Sequence, residues 1–388
     1  MEKHERVLAA LELREPDRVP TFDLMNENAV INEVLGLKPN VAIRLLKNES
    51  TAKAADWLFK RMDSRSFVDK EMERFTYNGA AAAVKMGYDA AWVSHTPHWY
   101  FSDSKTMIDV FGRLQDVSID AKGNIANPIY RKGLIAGPAD WEAWDKKPIF
   151  SLPEKVNRVF SGVQKEYGDQ LFIFGFASYG VFENSWQAMG FERFVMAVRK
   201  DKEFVRRLIG FNTDFFCILL EAMADAGLPG VIYTDDLAFR SGPMFSPKLI
   251  DEFFGDSYRR ITEKAHSLGL KIVFHSCGDT TSLLSMFADC GFDAIHPMEP
   301  TAGMILSEVK ETIGNRICLI GNLDVTSLMV SGTREEVFAA VRKMIAEAGA
   351  GGGYILGPGH GHPGISAKRL RWMVEAAHQY GHYPLDLS

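Results

Sequence analysis

GVIYTDD (residues 230–236), PKLIDEFFGDSYRRITEKAHSLG (247–269) and KIVFHSCG (271–278) decide the fold. The first and third are short, almost continuously apolar and end on ionisable residues. The second is long enough for several helical turns, and its apolar residues recur at helical spacing. A strand buried on both faces, a helical crossover and a second such strand make a unit of parallel sheet.

The pattern extends in both directions. Upstream lie VPTFDL (19–24), YDAAWVS (88–94) and LFIFGF (171–176). Downstream lie DAIHPMEP (293–300), ICLIGNLD (317–324) and GGYILGPGH (352–360). Eight runs fit a closed barrel better than an open doubly wound sheet. No GxGxxG follows the first strand, and GAGGGY (349–354) precedes a strand, so it reads as a turn. The expected fold is α/β: a single (β/α)8 TIM barrel, one domain over residues 1–388. The N-terminal third adds helical stretches, Lys3 to Leu13 and Thr51 to Phe59. It also adds a β-hairpin in which Lys122, Gly123 and Asn124 join VSID to IANPIYR.

Composition narrows the function classes. The chain has 388 residues, 46% hydrophobic and 24% charged, with a net charge of −6. An acidic chain with no basic run is a poor nucleic-acid binder. No apolar run reaches the roughly 18 residues of a membrane span, and the charged start MEKHERVLAALELREPDRVP has no signal-peptide core. Cys217, Cys277, Cys290 and Cys318 form no disulfide-like framework, which fits a reducing, cytoplasmic setting.

Polar residues end most of the apolar runs: Asp23, His95, Asp235 with Asp236, His275 with Cys277, Glu299, Asn322 with Asp324, and His360 with His362. At the strand ends of a barrel all would surround one mouth, where catalytic groups gather. Singly, each reads as a loop cap or a solvated end; Asp23 and Asp324 suit a cap. His275 and Cys277, two apart on a strand, point to the same side. Imidazole and thiolate are zinc ligands, and a third ligand from another strand, His360 or else Glu299, would leave a position for substrate. A hydrogen-bonded histidine beside an inert cysteine is the bland reading. Only one of the adjacent Asp235 and Asp236 should face the site, as acid/base, partner of a ligating histidine or substrate acceptor; Asp236 is the first choice. Aromatic residues crowd the same loops. Trp99, Tyr100, Tyr179 and Phe239, with His95 and Asn322, are the expected lining of an apolar substrate pocket.

EPDRVPTFD (15–23), the hairpin segment 111–135, FHSCGDTTSLLSMFADCGFDAIHPMEP (274–300), LIGNLD (319–324) and ILGPGHGHPGI (355–365) together resemble the uroporphyrinogen decarboxylase superfamily, in order over nearly the whole chain. The resemblance implies one of two activities. True decarboxylases carry an arginine-rich segment after the first strand that binds the substrate's carboxylates. Here that place reads FDLMNENAVINE, without arginine. The other branch comprises corrinoid-dependent methyltransferases, including methylcobamide:coenzyme M methyltransferases and O-demethylase components. Its coenzyme M members bind zinc through a His-x-Cys pair and a cysteine near the last strand. The pair matches His275 and Cys277, whereas GPGHG puts His360 in the cysteine's place, a harder donor better suited to an ether oxygen.

The resemblance thus implies zinc-assisted methyl transfer between a small molecule, an aryl methyl ether, and the cobalt of a cobalamin. With no DxHxxG signature in the chain, that corrinoid belongs on a separate partner protein. Asp235, Asp236 and Glu299 are the expected catalytic carboxylates, and a homodimer is compatible with the sequence. Two alternatives differ in class. One is a metal-free lyase of the same superfamily, which would show a basic pocket. The other is a barrel that only binds a corrinoid or tetrapyrrole, against which the many ionisable strand ends weigh.

Overall fold

Each of the eight apolar runs carries one strand of a single parallel sheet in the computed structural model of this chain, which describes residues 1–41, 43, 48–59, 64–119, 128–362 and 364–386. The first two strands are β1 (Phe22–Asp23) and β2 (Ala90–Ser94). Four strands outside the barrel follow: β3 (Trp99–Asp103), β4 (Thr106–Asp109), β5 (Arg113–Asp116) and β6 (Ile129–Gly133). The barrel resumes with β7 (Phe172–Phe176) and β8 (Gly230–Thr234). A short ribbon, β9 (Ala238–Phe239) and β10 (Gly242–Pro243), precedes β11 (Lys271–His275), β12 (Ala294–His296), β13 (Cys318–Leu323) and β14 (Tyr354–Pro358). The sheet order is β1-β2-β7-β8-β11-β12-β13-β14. It closes where Thr21 pairs with Leu356, whose N–H donates to the Pro20 carbonyl at 2.9 Å. The fold is a (β/α)8 barrel.

The crossover at 247–269 shows why sequence becomes element. Pro247 occupies the first turn of a helix capped by the Ser246 hydroxyl, since proline lacks only an N–H that would be unpaired there. The helix runs Pro247–Ile250, widens into a π-turn at Asp251–Gly255 and continues as Asp256–Ser267. Tyr258, Ile261, Thr262 and Ala265 form its buried face. Gly269, at φ 76°, ends it in the left-handed region that residues with a Cβ avoid.

Alternate residues of the strands fill the barrel interior, among them Phe22, Trp92, Phe174, Ile232, Val273 and Ile320. The helix Lys3–Leu11 adds Val7, Ala10 and Leu11 to that interior cluster. Its His4 Nε2 lies 2.7 Å from the Gly168 carbonyl, just before β7. This helix therefore closes the N-terminal mouth and leaves the opposite mouth for chemistry. The helix Glu49–Phe59 matches the expected stretch. The expected hairpin is broader than foreseen. β5 pairs antiparallel with β6 inside a four-stranded sheet ordered β3-β4-β5-β6. Its paired strand is RLQD rather than VSID, and the tip at Lys122, Gly123 and Asn124 lies outside the described residues.

Candidate functional site

β8 ends at Thr234, and the next two residues diverge as alternation requires. The Asp235 carboxylate is fully buried and accepts four hydrogen bonds, from the N–H groups of Phe182 (3.1 Å) and Glu183 (2.7 Å) and from the hydroxyls of Tyr233 (2.9 Å) and Tyr258 (3.0 Å). It caps the helix Val181–Met189 and is not among the cavity-lining residues. Asp236 turns inward. Its Oδ1 accepts from the Cys277 N–H at 2.8 Å, which ties the end of β8 to the loop after β11.

His275 is the last residue of β11, and its Nε2 lies 3.5 Å from Cys277 Sγ. One donor atom each from Asp236, His275 and Cys277 lie within 4.8 Å of one another. The expected pair is together, but the third member is Asp236, not His360 or Glu299. Glu299 is turned to the backbone: its Oε2 accepts from the Gly278 N–H at 2.8 Å and its Oε1 from the Thr301 hydroxyl at 2.5 Å. His360 stands 4.0 Å from Glu299, with Nδ1 against the Gly361 carbonyl at 2.7 Å. Imidazole nitrogen, thiolate sulfur and carboxylate oxygen fit a zinc ion.

Electrostatics point the same way. Burial, then the carboxylates of Asp236, Glu299 and Glu183, push the Cys277 thiol well above its ordinary value. Burial and the neighbouring His296 and His360 push His275 well below its own. Burial, with Glu299 nearby, raises Asp236. A cation at this point would reverse each penalty on a negative ligand.

Asp236 and His275 also line a cavity of about 330 Å³ at the C-terminal mouth. Its walls are largely aromatic and apolar, with Trp92 from β2, Trp99 and Phe101 from β3, Phe176 at the end of β7, Tyr179 just beyond it, and Phe67, Met72 and Phe75 from the helix Arg65–Met86. Of the expected substrate residues, Trp99 and Tyr179 line it and the others do not. Tyr100 sits under the Arg65 guanidinium, 4.5 Å from the ring centroid. His95 is buried behind the wall with Nδ1 3.0 Å from the Thr76 hydroxyl, and burial pushes it down to about 3. Asn322 donates to the Met298 carbonyl at 2.8 Å, holding the loop after β12. Phe239 is 52% exposed beside Phe191. Asp324 caps the turn at Thr326, and Asp23 accepts from the Tyr88 hydroxyl at 2.7 Å.

Sequence reading missed most of the lining residues, among them Glu183, Trp92 and Thr234. Glu183 accepts from the Gln187 side chain at 2.8 Å and from the Asp236 N–H at 3.2 Å; burial, then the charges of Asp236 and Asp235, raise it well above its ordinary value. Trp92 Nε1 and Thr234 Oγ1 are buried without a hydrogen-bond partner among the described residues. An acidic residue in the first turn of the helix after β7 was the one available signal for Glu183. Trp92 and Thr234 look like ordinary strand residues in the sequence.

Residues 97–380 match the profile of the family described as uroporphyrinogen decarboxylase (URO-D). The chain belongs to the URO-D family. Within it, a uroporphyrinogen decarboxylase of Thioalkalivibrio sulfidiphilus is 28% identical over 186 residues, 47% of this chain and 50% of that protein. A methylcobamide:CoM methyltransferase of Methanosarcina acetivorans is 27% identical over 249 residues, 62% of this chain and 68% of that protein. The match thus spans half the length of the first relative and about two thirds of the second. A solved methyltransferase from Methanosarcina mazei superposes with a TM-score of 0.66 at 19% identity, covering 98% of this chain and 99% of that one. At that identity the likeness shows the fold alone.

Proposed function

We propose that this URO-D family protein is a corrinoid-dependent methyltransferase that moves a methyl group from an aryl methyl ether to the cobalt of a corrinoid carried by a partner protein. The observation that carries the reading is the cluster of Asp236, His275 and Cys277 bordering an aromatic-walled cavity. The methylcobamide:CoM methyltransferases among its relatives support it. Asn26 and Asn28, from the segment that is arginine-rich in decarboxylases, line the cavity, which disfavours a highly anionic porphyrinogen.

Zinc held by Asp236, His275 and Cys277 would supply Lewis acidity to a leaving oxygen. The chain's own side chains do the remaining work. The aromatic walls bind and orient the ring and exclude water. Trp92 Nε1–H and the Thr234 hydroxyl, buried and without a partner among the described residues, offer hydrogen bonds to an oxygen of the bound molecule. Glu183, which burial and then the charges of Asp236 and Asp235 push well above its ordinary value, is placed to give a proton to the departing phenolate. Transfer to a reduced cobalt would break the bond from methyl carbon to ether oxygen, the methyl carrying a formal positive charge to the partner's corrinoid and the oxygen leaving as the phenol with the proton from Glu183. Among the described residues, no side chain lining the cavity is nucleophilic enough to take methyl from an aryl ether and release it again.

The purified protein alone is therefore expected to be inactive on methoxyarenes. Activity appears on adding a reduced corrinoid protein or free cob(I)alamin, with methylcobalamin formed in step with the phenol. Demethylation with water as the only acceptor would overturn the mechanism. Carbon dioxide release by metal-free protein from an anionic substrate would turn the assignment to a lyase.

A further inference from the structure

His296 ends β12 and stands opposite His275 in the parallel register. The two rings are roughly coplanar and meet edge to edge, with centroids 4.9 Å apart, planes 27° apart and Nδ1 atoms 2.6 Å apart. A contact between two ring nitrogens needs one proton, so one nitrogen donates and the other accepts. The far side of His296 decides which. Its Nε2 lies 3.1 Å from the carbonyl oxygen of Pro358, at the end of β14. A carbonyl can only accept, so the proton of His296 sits on Nε2. Neutral imidazole carries one ring proton, so His296 Nδ1 presents a lone pair and His275 Nδ1–H must donate to it. The single proton of His275 is thereby committed to Nδ1. Its Nε2, the atom beside Cys277 Sγ, is left with a lone pair. The reverse order needs a second proton on His296 and so a positive charge on a ring only 3% exposed.

We propose that His296 is a positioning residue that locks His275 in its Nδ1–H tautomer and so keeps Nε2 free to bind a metal ion. The inference rests on the reading of His275 as a ligand. It also adds a link that the ligand set lacks. A free neutral histidine favours the Nε2–H form, which would block the ligating atom. Here a backbone carbonyl on β14 sets the proton on β12, and β12 sets it on β11. Ligating histidines depend on such outer partners for orientation and affinity.

The test uses the full-length protein labelled with ¹⁵N-histidine and stripped of metal. The His275 signals are assigned by their loss in His275→Gln. The expected result is a pyrrole-type Nδ1 and a pyridine-type Nε2 for His275. Zinc affinity, measured by chelator competition, is expected to weaken on the order of 10–100-fold in His296→Phe. His296→Gln, whose amide can donate to Pro358 and accept from His275, should stay within a few-fold of the parent. An Nε2–H tautomer for His275 in the metal-free parent would overturn the proposal. So would parental zinc affinity in a folded His296→Phe protein. If the parent binds no zinc but His275 has the expected tautomer, the metal reading fails and the positioning role stands.

Discussion

Trp99 and Tyr100 are neighbours in sequence with opposite fates. On β3, Trp99 points into the cavity and Tyr100 points back under Arg65. Trp99→Ala should therefore weaken binding of an aromatic substrate by ~1–3 kcal/mol, the scale of burying such a side chain. Tyr100→Ala should leave KM near its parental value. Equal effects in titrations of the two variants would place the binding surface elsewhere. Cys277→Ala removes the one soft donor of the cluster. Elemental analysis is expected to find about one zinc per parental chain and none in this variant, with activity lost alongside; a fully active metal-free Cys277→Ala protein would end the zinc reading. His275 and Cys277 could be singled out from sequence because the two-residue alternation of a strand is local. Asp236 could be ranked above Asp235 for the same reason. That Asp236, rather than His360 or Glu299, joins the pair depends on how the loops after three different strands fold back. Residue types alone do not encode that.

Asp235 shows an element held by one side chain. The helix Val181–Met189 begins with N–H groups that have no partner inside the helix. Two of them end on this carboxylate, as do two buried tyrosine hydroxyls. Asp235→Ala strands these donors, at a cost of ~1–3 kcal/mol for each left unpaired. It should lower the denaturant midpoint and release Glu183 from its place, so that stability and turnover fall together. A stable but inactive Asp235→Ala protein would instead make this carboxylate a chemical group. A second element contact is pH-dependent. His266, near the end of the helix Asp256–Ser267, lies 2.9 Å from the Asp293 carboxylate that precedes β12. That hydrogen bond raises the histidine above its ordinary value. The folded form thus holds the proton more tightly than the unfolded form. The stabilisation is complete below the unfolded value of about 6.5 and is lost as pH rises through the higher folded value. The pair is partly exposed, so the effect is no more than ~1 kcal/mol. The Tm gap between the parent and His266→Gln should be widest near pH ~5.5 and close at alkaline pH; a constant gap would deny the pairing.

At the scale of the molecule the barrel separates stability from chemistry. At the mouth closed by the first helix, the fully buried Asp89 carboxylate binds Arg6 at 2.8 Å, Arg18 at 2.7 and 2.8 Å and the Thr21 N–H at 2.9 Å. Burial opposes this charge, yet the Arg18 hydrogen bond and both guanidiniums keep it below the usual carboxylate range. The clasp joins the first helix, the segment before β1 and the start of β2. Asp89→Asn leaves two buried cations short of a partner, and removing one member of such a cluster costs ~3–5 kcal/mol. Equilibrium unfolding should register that loss, while the molecules that remain folded keep their substrate KM, because the site lies at the other mouth. A changed KM with unchanged stability would refute the separation.

The sequence by itself determined that this chain forms a parallel barrel. The eight runs, the crossover periodicity and the turn residues are local signals, and each run became one strand. It also determined that His275 and Cys277 face one way. Tertiary structure decided which more distant side chains meet them: Asp236 as third donor, Glu183 from a helix, Trp92 and Thr234 on the wall, and His296 behind His275. The physical reason is register. A strand's two-residue repeat can be read from its own residues. Which residue of the next strand lies opposite, and how far each connecting loop reaches over the mouth, is set by closure of the whole barrel.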